Sequence, residues 1–342
     1  MPVSLQKSLE TVSVKCSASH ISNNLTINRS SELRRSTMYG VSHKSGFTMA
    51  TVSEDGTKRI QGQVICRVAG GNSNTTAPEI DARFTVYVIQ AAFVNLPIRN
   101  LLVLACTKSI QIYELDGTTN LHIHMLDKNH SNKTESSVYS RGIAGIGQNL
   151  LCVGNHQGEI LVFNIPPKGT NIFLKETIHG HQFGITYLVS NANLLISSDT
   201  SGVILIRNIR TMSQINTIPC IDESGVTSLS IWNNCIVASY ANGMIRLFDP
   251  ENAQICGSIA AHARCINAID CNEQGLLASV GDDCFVRIWK LSGDANNLQI
   301  THECNYHLEN NQLVGVKFLN LSRADLAVSS YDSNEVIILR AI

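Results

Sequence analysis

"ASVGDDCFVRIWKL", residues 278 to 291, runs from small residues through a tight polar turn into an alternation of apolar and polar residues. It ends at Leu291, just past one of only two tryptophans in the 342-residue chain. Period-two alternation on both sides of a turn reads as two antiparallel strands. The same shape occurs at 103 to 115 ("VLACTKSIQIYEL"), 151 to 165 ("LCVGNHQGEILVFNI"), 195 to 209 ("LISSDTSGVILIRNI"), 237 to 250 ("VASYANGMIRLFDP") and 327 to 342 ("AVSSYDSNEVIILRAI"). The turns fall near Lys108, Gly158, Gly202, Gly243, Asp283 and Asn334, at intervals of about 50, 44, 41, 40 and 51 residues. That period belongs to four-stranded propeller blades. A further short strand lies upstream of each pair, as in "VTSLSIW" or "INAIDC", and another downstream, as in "SQINTI" or "QICGSI".

A seventh, less regular set lies between residues 23 and 68: "NNLTIN", "TMYGVSH", "GFTMATV" and "GQVICRV". The last unit ends on its third strand, so "LETVSVKC" at 9 to 16 is expected to supply the fourth and close the ring. Closure leaves only short, protected sheet edges. The expectation is one all-β domain over 1–342, a seven-bladed β-propeller. Its blades are placed near 23–68, 80–128, 136–178, 185–218, 226–259, 266–307 and 313–342.

In WD-repeat propellers, four groups in a blade share buried hydrogen bonds: a Gly-His before the first strand, a Ser or Thr in the second, an Asp in the turn and a Trp in the third. The unit 261 to 291 resembles that pattern at His262, Ser279, Asp283 and Trp289. An imidazole can donate one proton and accept another, indole N–H only donates and a carboxylate only accepts, so the four can satisfy one another away from water. This reading makes Asp283 part of the frame, with Asp282 its exposed neighbour. "GHQFGIT" (180–186) places His181 equivalently, but with Arg207 in the Trp position and Ser201 in the Asp position. Phe163, Phe248 and Tyr113 stand for Trp elsewhere and are expected to lose the N–H donor.

The segment 141–174, with its "VFNIPPKGTNI" run, together with "GHQFGIT", "AHARCINAID" (261–270) and "GDDCFVRIWKLS" (281–292), is similar to the WD repeat-containing protein 54 family. The similarity is strongest from about residue 80 onward. It implies an intracellular interaction platform without a catalytic site.

Composition narrows the function classes. The net charge is -1 and no basic run exceeds a pair, which argues against nucleic acid. Residues 1 to 70 carry +5 and the remainder -6. No apolar stretch reaches the ~20 residues of a membrane span, and "MPVSLQKSLETVSV" lacks a signal-peptide core. A cytoplasmic protein without integral membrane association is expected. The eleven cysteines are odd in number and contain no C-x-x-C; they read as reduced thiols.

Motif chemistry is sparse. P-loop, H-E-x-x-H, G-x-S-x-G and kinase catalytic-loop strings are absent. "RVAGGNSN" (67–74) lacks the Lys-Ser/Thr of a phosphate cradle and reads as a loop. His122 and His124 share a strand face near Asp127 and His130, and His302, Cys304 and His307 form a similar group. Both are read as surface residues, so no metal or cofactor is expected. "IRNIR" (206–210) keeps Arg210 of the Trp-Asp-x-Arg signature of ubiquitin-ligase receptors, but has Arg207 and Asn208 in place of Trp-Asp.

A propeller presents a broad face of entering loops and second-to-third-strand turns around its channel. Its partners are expected to be proteins or peptides, self-association included. Aromatic and Arg residues dominate binding hot spots, which selects Phe183, Tyr240, Arg264 and Tyr331. His156, Thr200, Ala241, Asp282 and Asp332 are expected just before the turn Asp position. The function expected is a non-enzymatic scaffold or adaptor. The alternatives are a hydrolase with Asp282, Asp332 and His156 at the channel mouth, and a substrate receptor of a cullin-type ubiquitin ligase.

Overall fold

The computed structural model describes residues 4–28, 36–53, 59–66, 86–126, 138–320 and 322–342. They form a seven-bladed β-propeller whose described elements are all strands. Blade 1 comprises β3 (Leu25–Asn28), β4 (Ser36–His43), β5 (Gly46–Ser53) and β6 (Arg59–Ile65). In blade 2, β7 (Val88–Leu96), β8 (Arg99–Cys106), β9 (Ser109–Glu114) and β10 (Asn120–Met125) follow the same meander. Blade 3 holds β11 (Ser140–Ile146), β12 (Leu150–Asn155), β13 (Ile160–Asn164) and β14 (Phe173–Ile178). Blade 4 holds β15 (Ile185–Ser190), β16 (Leu194–Asp199), β17 (Ile204–Asn208) and β18 (Gln214–Ile218). In blade 5 the strands are β19 (Val226–Trp232), β20 (Cys235–Tyr240), β21 (Met244–Phe248) and β22 (Ile255–Ala260). Blade 6 contains β23 (Ile266–Cys271), β24 (Leu276–Gly281), β25 (Phe285–Ser292) and β26 (Gln299–His307). Blade 7 is β27 (Leu313–Phe318), β28 (Leu326–Ser330) and β29 (Glu335–Ala341), with an outer strand from the N-terminal end.

That outer strand comes in two pieces, β1 (Leu5–Lys7) and β2 (Val12–Ser13), both antiparallel to β29. It begins before the expected 9–16. Lys7 faces Leu339 and Val12 faces Val336, so four residues, 8 to 11, oppose two. The excess bulges outward and leaves Leu9 fully exposed, while Leu5 and Val12 point into the core.

Strand alternation explains how the blades stack. On β24, Leu276, Ala278 and Val280 pack toward blade 7, whereas Leu277 packs toward blade 5. The buried residues accordingly fall into seven clusters, one at each blade-to-blade contact. Each buried Leu, Ile or Phe contributes ~1.5–3 kcal/mol. The first strands touch one another in a ring around the central channel.

Six of the seven first strands carry a bulge near their start, around Ile89, Arg141, Thr186, Thr227, Asn267 and Val314. A bulge re-aims a side chain that regular pairing would turn sideways. The channel is crossed from the N-terminal side. Ser22 Oγ donates to Asn267 Oδ1 at 2.8 Å, Asn23 Nδ2 donates to the Thr227 carbonyl at 2.9 Å, and Ser228 Oγ donates to Asn23 Oδ1 at 2.9 Å. Asn23 adopts φ 62°, a conformation Asn tolerates better than most residues.

Candidate functional site

The face at the start of the first strands is built from one repeated device. In six of the seven blades the residue after the second strand donates its N–H to the loop entering the same blade: Thr107 to Tyr87, His156 to Tyr139, Thr200 to Gly184, Ala241 to Gly225, Asp282 to Cys265 and Tyr331 to Gln312. These bonds fix the register of the face. Tyr331 therefore occupies the place expected of Asp332, which lies one residue further round its turn.

Two residues later the turn needs a left-handed conformation. Gly158, Gly202 and Gly243 supply it at φ 81°, 96° and 85°. Each lies against backbone carbonyls of the next blade's entering loop: those of His181 and Phe183, of Ser224, and of His262 and Arg264, respectively. These three turns thus brace their neighbours. At the same position in blade 6 Cys284 takes φ 65°.

His262 ties such a loop to the interior of its blade. Its Nε2 lies 2.8 Å from Ser279 Oγ and its Nδ1 2.8 Å from Asp283 Oδ1, and Trp289 Nε1 donates to Ser279 Oγ at 3.4 Å. Arg287 Nη1 donates to Asp283 Oδ2 at 2.8 Å. Arg287 Nη1 also lies 2.7 Å from His262 Nδ1, so Nδ1 meets both a carboxylate and a guanidinium; with the proton on Nδ1, the set runs from indole N–H to serine, serine O–H to Nε2 and Nδ1–H to the carboxylate. Burial lowers the His262 pKa, although Asp283 pulls it upward. Burial raises the Asp283 pKa, but the hydrogen bonds and charges of His262 and Arg287 outweigh it and hold the carboxyl below its usual range.

In blade 4 the carboxylate comes from elsewhere. His181 Nε2 is 2.7 Å from Ser197 Oγ and its Nδ1 is 2.9 Å from Asp199 Oδ2. Asp199 closes β16 two positions before the expected turn site, and Ser201 instead donates to it at 2.6 Å. Arg207 faces Leu195 as Trp289 faces Leu277, and donates to the His179 carbonyl at 2.8 Å. Tyr113 fills the same slot in blade 2 and keeps a donor, its hydroxyl bonding Gln111 Oε1 at 2.7 Å.

A family profile described as WDR54 matches residues 6–342. The chain belongs to the WDR54 family. It is 32% identical to human WD repeat-containing protein 54, with 95% of this chain and 96% of the relative covered. The mouse protein of the same name is 30% identical over 95% and 96%. Solved structures with similar folds are a chain in the crystal structure of the mitotic checkpoint complex and U3-55K. Both have a TM-score of 0.68 at 13% identity; the first covers 100% of this chain and 94% of its own, the second 99% and 100%.

In this WDR54 family member the surface residues read from sequence do not all reach the surface. Phe183 is 53% and Tyr331 49% exposed, and Arg264 is exposed in the loop entering blade 6. Tyr240 is a correction. It ends β20 on the side facing blade 4, is fully buried and lies under the Arg246 guanidinium, 4.7 Å from the ring centroid. Burial pushes its hydroxyl up to about 12, with Arg246 acting the other way. Asp282 is half-buried and accepts from Asn267 and Gln312 at 2.7 and 2.9 Å. His156 is half-buried beside Tyr139, and burial lowers its pKa.

Among the described residues, no hydrogen bond or ion pair links Asp282, Asp332 and His156 to one another. His122 and His124 stack at 6.4 Å, both against Phe163, while His302 bonds Asn305 and His307 stacks on Phe285. No described group of three or more His, Cys, Asp or Glu could hold a metal. Asp127, His130 and the 67–74 loop lie outside the described residues. Arg207 is buried, and Arg210 is the one fully exposed residue of "IRNIR", with the half-buried Asn208 accepting from its backbone N–H. All eleven thiols are free, Cys220 being exposed. No described helix is long and apolar enough to cross a membrane.

Proposed function

We propose that this WDR54 family member is a non-catalytic cytosolic scaffold that binds other proteins through the face at its channel mouth. The observation that carries this is the exposure of Phe183 and Arg264 on entering loops braced by the neighbouring blade's turn, and of Tyr331 on a turn bonded to the loop entering its own blade. Large side chains presented on a rigid frame lose little freedom on binding. Aromatic and Arg side chains are also the types that dominate interface energetics. His156 and Asp282 flank them as half-buried polar groups suited to the rim.

The test is affinity capture from lysate of the source cells with the wild-type chain and a Phe183→Ala/Arg264→Ala/Tyr331→Ala variant. All three positions are exposed, so the variant should melt within about 1 °C of wild type and lose specific partners. An unchanged partner set would move recognition to the blade edges.

A further inference from the structure

Arg141 occupies the bulge of β11, on the innermost strand of blade 3. Its guanidinium is half-buried and makes no hydrogen bond or ion pair with any described residue. It lies close enough to Tyr139, Tyr187 and Cys265 to interact electrostatically with them, and Cys265 belongs to blade 6 across the channel. Burial lowers its pKa, so the fold holds this charge at a cost.

Four other arginines of the ring pair with a carboxylate. Arg99 pairs with Glu114, Arg246 with Asp222, Arg287 with Asp283, and Arg340 with Asp325. Of the equivalent bulge residues Ile89 and Val314 are apolar, and the three polar ones are satisfied within their own blades: Thr186 by Ser198 at 2.8 Å, Thr227 by Ser239 at 2.9 Å and Asn267 by Asp282 at 2.7 Å. Arg141 is the exception at a repeated position. A structural role would call for a carboxylate or carbonyl, and the described structure provides neither.

On the same face a groove of about 680 Å³ is lined by His20, Ile21, Lys44, Tyr87, Ile89 and Tyr331 among others, from blades 1, 2 and 7 and the N-terminal segment. Its lining residue Thr107 is bridged to Tyr139, two residues before Arg141. Lys44 Nζ stands 5.3 Å over the Tyr87 ring and has no carboxylate partner among the described residues. Asp332 lies at the Tyr331 end, and Asp282 is already held by Asn267 and Gln312. The groove lining thus combines apolar and aromatic residues with Lys44 and, at one end, Asp332, while Arg141 lies on the adjoining blade.

We propose that the channel mouth binds an acidic peptide segment of a partner protein, an Asp or Glu side chain meeting Arg141 while a neighbouring apolar side chain enters the groove. This rests on the proposed role of the face. A carboxylate supplies what a guanidinium at a half-dry site lacks, and the planar fork favours a bidentate contact. The exposed Arg264 would add attraction at longer range.

The test pans a random linear peptide library displayed on phage against the full chain, then measures synthetic copies of enriched peptides by fluorescence anisotropy. Enriched sequences should share an Asp or Glu next to an apolar residue. Binding should weaken about 30-fold or more on Arg141→Met, and equally when the peptide acid becomes its amide. Arg141→Met should melt at or above the wild-type temperature, because it removes an unpaired charge. Failure to enrich any peptide, or peptides indifferent to Arg141→Met, would overturn the proposal. So would a marked drop in melting temperature for that variant. If such indifferent peptides are weakened by Phe183→Ala/Tyr331→Ala, recognition by the face survives and only its acidic chemistry falls.

Discussion

Ser279 sits between two groups with no other described hydrogen-bond partner at those atoms, the Trp289 N–H and His262 Nε2. Ser279→Ala removes both contacts in a fully buried site and should cost about 2–3 kcal/mol in urea unfolding. Ser197→Ala in blade 4 leaves a single imidazole nitrogen unpaired and should cost less. Tyr240→Ala should cost about 3–5 kcal/mol through the cavity it opens. A melting curve will register that change, whereas partner binding by whatever remains folded should not move. The blade 6 set was legible because its four residue types stand at the expected spacing. Asp199 was not, because the end of a strand and the turn after it are neighbours in space. A carboxylate displaced by two residues along the chain reaches the same imidazole nitrogen. The signal was present nonetheless, since Asp199 is the only acid between 195 and 209. Tyr240 was misplaced for a similar reason: one step along a strand turns a side chain from one face to the other.

The braced turns make a sharp prediction at the level of elements. A methyl added at Gly243 would lie 2.1 Å from the His262 carbonyl oxygen, at φ 85°. The left-handed conformation alone costs a non-glycine residue about 1 kcal/mol, and the clash adds to it. Gly243→Ala should therefore destabilise by more than about 2 kcal/mol and loosen the loop that carries Arg264, which hydrogen exchange at residues 262–265 would report. Gly147→Ala is the control, with φ 56° and open space around the new methyl; it should cost only about 1 kcal/mol. The closing strand is a second case. Val12→Asp places a charge in the cluster between blades 7 and 1 and should free the Glu335–Val336 end of the β29 edge for intermolecular pairing. Size-exclusion chromatography should then show aggregation at temperatures where the wild type is monodisperse. The paired strands could be read from their alternation. The break in the closing strand could not, because a bulge depends on which partner residues it faces, and local sequence does not encode that.

Acid should unfold the whole molecule in two stages, and the direction follows from where its titratable groups lie. His43, His122, His156 and His262 all have pKa values lowered by burial. In the unfolded chain each returns to about 6.5. As the pH falls through that value the unfolded state takes up protons that the folded state refuses, so stability declines until the folded pKa values are passed. His262 should contribute most, being the most enclosed, while the half-buried His122 and His156 are partly screened by solvent. Asp199 and Asp283 act in a lower window. Their folded pKa values lie below the usual carboxylate range, so the stability they confer is present above about 4 and is lost as the pH falls through the folded values. Differential scanning calorimetry from pH 8 to pH 3 should show a plateau above about pH 7, a decline that sets in as the pH falls through about 6.5, and a second fall below about 4. A melting temperature unchanged from pH 7 to pH 5 would mean that the buried imidazoles titrate as they do in water. The assignment of His262 as a neutral link between Ser279 and Asp283 would then fail. A His262→Gln chain supplies the internal check: it should be less stable at pH 7.5 yet lose less of its remaining stability between pH 7 and 5, because the group responsible for most of that slope is gone.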